Sequence, residues 1–518
     1  MEVAGGRKSI IQAMSTAVRV IKNTGWLYAK MGITSILSLV TTRLILNSLG
    51  QADFGIYNVV GGAIAMLGFI NAAMASTTQR FLNYSEGEKN PEKQKSIFNV
   101  SIILHLGIAV LMIIVLNLAK ILFFGGVLDI PVERLRAAKA VYHCLVFSTA
   151  ITIMTAPFDA VITSHENMKY YAIIGVIESV LKLSVALICV YTNTDKLIVY
   201  AVLMAAIPLM SLIIMLGYCF KHYSECVFSP RRFFSKVSLK EMGGFAGCSI
   251  AMTMTSMVTQ YGFGVVLNSF FGVLLNAAHG VASQLSGMLQ TVSSLAQKAY
   301  NPVLVKREGS RDREGAIYVS FLGCRVSFFL FGSVSIPAIL FMPVLLKIWL
   351  KTVPEWAVVF ARLQLLRILL DQLYSGLNSA ILASGKVKGY AMFMSVSYIL
   401  PLLILPVLFK YGFAPYIMYV VWIFFWTIVG GLINVRFMSK NMNVPAKEYF
   451  LSVLFPSLSV SCISLLPFVL SIIFRAPFVV RNLLMTVQLP LFLSLGCMYI
   501  LKKEERTKIL SLIRLIGK

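Results

Sequence analysis

Thr42-Arg43-Leu44-Ile45-Leu46-Asn47-Ser48-Leu49-Gly50 closes one apolar run, and Asp53-Phe54-Gly55-Ile56-Tyr57-Asn58 opens the next. Part of this corner occurs twice. Leu46-Asn47-Ser48 returns as Leu267-Asn268-Ser269, an offset of 221 residues (267 − 46). Beyond it Asn58 pairs with Asn276, Gly62 with Gly280, Ser76 with Ser294 and Gln79-Arg80 with Gln297-Lys298, at one offset of 218 (297 − 79). A three-residue deletion in the intervening turn reconciles the two offsets. The copies lie six apolar runs apart, an even number, so both enter the membrane in the same sense. Two parallel six-helix lobes related by an axis along the membrane normal form a transporter architecture.

The apolar runs extend along the whole chain. A span needs about 20 apolar residues to cross about 30 Å of hydrocarbon. Runs of that kind fall at 24–47, 54–80, 97–119, 136–160, 170–191, 197–220, 245–268, 272–298, 316–341, 357–383, 389–410, 414–437, 449–473 and 481–501. The expected fold is an all-α polytopic membrane protein of about 14 helices. Composition agrees: 518 residues are 58% hydrophobic and 13% charged, with a mean hydropathy of +0.81. A soluble domain is about 25% charged, so soluble enzymes, secreted proteins and nucleic-acid-binding domains are excluded.

The net charge of +25 is therefore a statement about topology. With the N-terminus cytoplasmic, about 30 Lys and Arg residues fall inside and about 10 outside. Both termini are thus expected in the cytoplasm. The divisions are 1–22, an amphipathic N-terminal segment; 23–220, the first lobe; 221–244, a cytoplasmic loop; 245–437, the second lobe; 438–501, two further helices; and 502–518, a basic tail. Residues 1–22 are not read as a signal peptide, because Arg19 and Lys22 interrupt the apolar face and no small-residue cleavage site follows.

Ionisable groups inside the spans cost at least about 2.5–3.5 kcal/mol each and need a reason. The cations are Lys30, Arg43, Lys182, Arg325, Arg362 and Arg367; the carboxylates are Glu178 and Asp371. Glu178 and Lys182, and likewise Arg367 and Asp371, stand four residues apart on one helix and can neutralise each other. Snorkelling to a headgroup is the alternative for Lys30, and an interfacial anchor for Arg43. The eighth helix carries Ser283, Gln284, Ser286, Gln290, Ser293 and Gln297, most of them on one stripe. Such a stripe either joins helices or walls a polar cavity, with Ser283, Gln284, Gln290 and Gln297 as candidate lining residues. No cofactor or metal site is expected: the eight cysteines lie singly, without CxxC or His at ligand spacing. Neither a nucleophile–base pair nor a Walker sequence is present in the sequence, so an enzyme is not expected.

The segment Thr42–Gly50 with Asp53–Asn58, and then Ser76-Thr77-Thr78-Gln79-Arg80-Phe81, resembles the opening of Wzx-type polysaccharide and O-antigen flippases. These belong to the multidrug/oligosaccharidyl-lipid/polysaccharide exporter (MOP) superfamily. The resemblance implies a multi-pass protein of the bacterial inner membrane with two lobes and alternating access. Its implied cargo is an undecaprenyl-pyrophosphate-linked oligosaccharide, moved from the cytoplasmic to the periplasmic leaflet, with the intramembrane cations drawing the pyrophosphate. Glu178 and Asp371 would then serve as coupling carboxylates. Implied partners are that substrate, anionic membrane lipids and the polysaccharide polymerase and chain-length machinery, with no nucleic acid. An ion-coupled multidrug exporter of the same superfamily is the competing reading. Six intramembrane cations against two carboxylates favour an anionic cargo. Reporter fusions at Asn193 and Lys410 should report an external location, and those at Asn90 and Gly309 a cytoplasmic one. A cytoplasmic signal at Asn193 would overturn the orientation.

Overall fold

A computed structural model describes residues 2–65, 68–124, 131–350, 353–474 and 477–500. The basic tail at 502–518, Lys351 and Arg475 lie outside them, as do the side chains of residues 1–21, on which the amphipathic reading depends. The described residues are helical, without a β-strand. The helices are α1 (Glu2–Ala65), α2 (Gly68–Gly87), α3 (Pro91–Leu122), α4 (Leu135–Ser164), α5 (Met168–Tyr191) and α6 (Lys196–His222). They continue as α7 (Lys236–Phe271), α8 (Val273–Gly309), α9 (Arg313–Leu340) and α10 (Ala357–Gln372, resumed as Ser375–Ala383). The last four are α11 (Lys388–Lys410), α12 (Ile417–Met442), α13 (Ala446–Ser471) and α14 (Leu483–Ile500).

Each of the fourteen expected spans is helical over most of its described residues. Among the described residues, eleven helices are long and apolar enough to cross a membrane. The spans outside that set are 54–80, described in two pieces around residues 66 and 67, the polar α8, and α10, interrupted after Gln372. For α8 and α10 the cause is chemical: polar side chains in the one and a helix break in the other come at the expense of apolar character.

The chain divides into two compact units, Gly25–Ile250, and Met1–Thr24 with Ala251–Lys518. In the first, α4 packs against α2, α3 and α6 around Val60, Met112, Val141, Tyr142 and Ile153. One end of it is fastened by Arg134, whose Nε donates to Asp53 Oδ1 at 2.8 Å and whose Nη1 donates to Asp195 Oδ2 at 3.0 Å. Asp195 also caps α6, accepting from Leu197 N at 3.1 Å. One planar guanidinium thus ties three connections together, as its fork geometry allows. In the second unit α9 is the central helix, with 72% of its apolar window buried. Phe328, Phe331, Phe360, Leu365, Trp422 and Phe492 form much of the core around it.

The duplication is visible in the backbone. Gly50 (φ 78°, ψ 170°) and Gly272 (φ 79°, ψ −178°) break their helices with one conformation, which is essentially reserved for glycine. Lys89 and Arg311, both left-handed, end the next helices, and Asn90 and Asp312 then cap α3 and α9 by accepting from Lys93 N and Gly315 N, each at 3.0 Å. Both corners carry the offset 222 (272 − 50, 311 − 89). A third pair, Glu166 (φ 56°) and Gly385 (φ 75°), turns α4 into α5 and α10 into α11 at an offset of 219 (385 − 166). The offset of 218 read for Gln79-Arg80 is therefore corrected by four residues, about one helical turn. A helix whose polar groups recur every three or four residues matches itself almost as well one turn out of register. In the structural register Arg80 corresponds to Pro302, not to Lys298. Arg134→Ala should strip Asp53 and Asp195 of their donor and destabilise the protein by about 2 kcal/mol. Thermal unfolding in detergent would show it, and an unchanged midpoint would contradict the fastening role.

Candidate functional site

The polar interior of the second unit is built around one ion pair. Arg367 Nη1 lies 2.6 Å from Asp371 Oδ2, one turn along α10. Asp371 Oδ1 accepts from Thr427 Oγ1 at 2.5 Å. The guanidinium carbon sits 4.3 Å from the centroid of Trp422 and 5.6 Å from that of Trp426, both on α12. Arg367 is 6% exposed, and its Nε has no hydrogen-bond partner among the described residues. A desolvated cation over an indole gains about 2 kcal/mol, which offsets part of the cost of burial. Residues Ile423–Val429 of α12 are π-helical, and this wider turn carries both Trp426 and Thr427. Single-turn π segments often mark functional sites. No residue pattern announces this one, because a π segment has no composition of its own.

Around the pair lies a cavity of about 270 Å³. Gln290 and Gln297 of the α8 stripe line it, together with Gln260, Gln372, Asn378 and Asn434. Ser283 lines a second cavity, of about 610 Å³, with Asn268, Asn276 and His279; Gln260 borders both. Ser286 and Ser293 instead bury their hydroxyls by bonding back to Ser283 O and Gln290 O, each at 3.0 Å. Gln284 is exposed and lines neither cavity. The stripe is half wall and half packing.

The remaining cations do not join Arg367. Arg362 donates through Nε to Ile339 O at 2.9 Å, satisfying the carbonyl end of α9. That is a cap, which explains the charge without a ligand. Arg325, 1% exposed, borders a separate cavity of about 380 Å³ with Glu314 and Glu448, and its Nη1 donates to Ser452 O at 3.4 Å. Arg43 and Lys182 are exposed. Glu178 accepts from Ser211 Oγ at 2.7 Å, a link from α5 to α6 in place of the expected pairing with Lys182.

Lys30 is different again. Its Nζ lies 4.0 Å from the Tyr171 ring centroid, and its side chain crosses the bare backbone of Gly175 on α5, in space that a Cβ there would occupy. Among the described residues it has no carboxylate partner. Gly175 is the residue that sequence reasoning missed. A glycine within an apolar helix is common, and only the packing shows that its missing side chain is the bed of a lysine.

A family model of polysaccharide biosynthesis proteins matches residues 20–307. The chain belongs to that family. It is a multi-pass membrane protein of the Wzx-type flippase and transporter class. The fold agrees. An outward-facing multidrug resistance MATE family transporter of the MOP superfamily superposes with a TM-score of 0.72 at 14% identity, over 83% of this chain and 96% of that one. A MATE protein in complex with MaD3S gives 0.73 at 14% identity, over 84% and 98%. A MOP superfamily transporter from Pyrococcus furiosus, described as having a binding pocket of reverse polarity that suggests a different function, gives 0.70 at 14% identity, over 84% and 98%. No curated protein matches the chain.

Removing one member of a buried ion pair costs about 3–5 kcal/mol, because the other is left uncompensated. Asp371→Asn should therefore lower the amount of the flippase in the membrane, and Arg367→Met with Asp371→Leu should restore much of it. Immunoblots of membranes at matched expression check both. Full abundance of Asp371→Asn would contradict the pairing.

Proposed function

We propose that this flippase moves an undecaprenyl-pyrophosphate-linked oligosaccharide, an O-antigen or capsular repeat unit, from the cytoplasmic to the periplasmic leaflet by alternating access. Residues 23–220 and 245–437 serve as its lobes. The bacterial inner membrane holds it with both termini in the cytoplasm. The observation that supports this reading best is Lys30: an ammonium within a membrane span, bedded on Gly175 and Tyr171, with no carboxylate to neutralise it among the described residues. A cation at that depth favours an anionic cargo, since a pair of unit charges 4 Å apart gains about 4 kcal/mol at an effective dielectric of 20 against about 1 in water. An exporter of organic cations would gain from the opposite sign. The pyrophosphate would be drawn to Lys30 while the prenyl tail stays in lipid. The basic cytoplasmic face would rest on anionic lipids, and the polymerase and chain-length machinery would take up the delivered unit.

In a flippase-null strain, Lys30→Ala should lower surface-glycan display about tenfold at unchanged membrane abundance, as loss of one charge-assisted contact predicts. Lys30→Arg should retain more. Gly175→Ala should also lower display, because its methyl group takes the space of the lysine side chain. Wild-type display from both Lys30→Ala and Gly175→Ala would remove this site from the mechanism.

A further inference from the structure

The cavity beside Arg367 is too well neutralised to hold a pyrophosphate. Its one ion pair is internal, and the rest of its polar lining is carboxamide, phenol and hydroxyl. Gln260 and Gln290 make no hydrogen bond to protein among the described residues, so two complete amides are open to a ligand. A third acceptor follows from counting protons. Tyr390 Oη lies 2.9 Å from Asn378 Oδ1 and 3.0 Å from Asn434 Oδ1, but it has one hydrogen to give. Asn434 is held in place by its donation to Gly430 O at 2.9 Å, so Asn378 keeps hydrogen-bonding capacity to spare. Trp426 spends its indole N–H on Tyr398 O at 3.1 Å, which leaves its ring to the cavity as an apolar surface.

Amides that both donate and accept, beside an aromatic face and without net charge, complement a ring of hydroxyls with an apolar C–H side. They do not complement a phosphate, which needs a surplus of positive charge, or a prenyl chain, which needs a dry apolar wall. We propose that this cavity, on α7, α8, α10, α11 and α12, is a subsite for an uncharged sugar of the cargo. Its amides, Gln260, Gln290 and Asn378, read the hydroxyls. The proposal rests on the flippase reading and divides the labour: Lys30 for the pyrophosphate, this cavity for the glycan. A site built to hydrogen-bond hydroxyls rejects ligands that lack them, because its own amides are then left unpaired.

The test uses the full-length protein in detergent and its tryptophan fluorescence. Titrants are a panel of neutral and acidic mono- and disaccharides, and inorganic pyrophosphate at matched ionic strength. At least one neutral sugar should give a saturable change. Gln290→Ala and Gln260→Ala should each weaken it about tenfold, and Gln284→Ala, on the same helix but outside the cavity, should not. Trp426→Phe should remove most of the signal. The subsite is overturned if no neutral sugar binds, if the amide variants bind as wild type does, or if they weaken pyrophosphate instead. Those results would leave the flippase reading standing wherever Lys30→Ala still loses surface glycan. Normal display from Lys30→Ala with sugar binding intact would sink the pyrophosphate assignment and spare the subsite.

Discussion

A guanidinium inside a membrane-spanning helix must be neutralised and enclosed, and Arg367 imposes that demand on everything around it. Asp371 must stand one turn away, Trp422 must cover the cation, and Thr427 must hold the second carboxylate oxygen. The widened turn at Ile423–Val429 brings a tryptophan and a threonine to the pair together. Two hydrogen bonds and a cation–π contact hold this network, and breaking one of them is costly. The carboxamides that border it thus stand on a fixed frame, as recognition of a ligand requires.

Much of the fold is legible in the sequence because the bilayer imposes a length and a polarity that composition records directly. The fourteen spans emerge from that constraint alone. The corners emerge less well. Gly50 is visible as a helix stop, but Lys89, Glu166 and Arg311 adopt left-handed conformations that their residue types do not announce. The register of the duplication slips by a turn for a related reason: helical periodicity makes near-matches at neighbouring turns. At the site, charge counting names the ionisable residues inside the spans but does not say which of them share a cavity. Arg362 caps a helix, Arg325 borders another cavity and Glu178 joins α5 to α6. Which of several cations share a cavity depends on helix rotation and packing, which no single sequence states.

The two units have diverged in chemistry while keeping their backbone corners. The first presents a lysine without a counter-charge among the described residues; the second presents a neutral ion pair among amides. Divergence of this kind fits the proposed cargo, which has two unlike ends, a doubly charged headgroup and a hydroxyl-rich chain. A single cationic cavity would attract the headgroup and leave the sugar unread. Uniform attraction would also slow release, since an interaction equally strong before and after transfer moves nothing.

Under the proposed function the glycan itself changes leaflet. In proteoliposomes carrying a prenyl-pyrophosphate oligosaccharide in both leaflets, an impermeant glycosidase added outside digests only the exposed half when the membrane holds no flippase. With the purified protein present, digestion should run on towards completion. A plateau at one half, in vesicles shown to contain folded protein, would mean that this protein does not move the glycan.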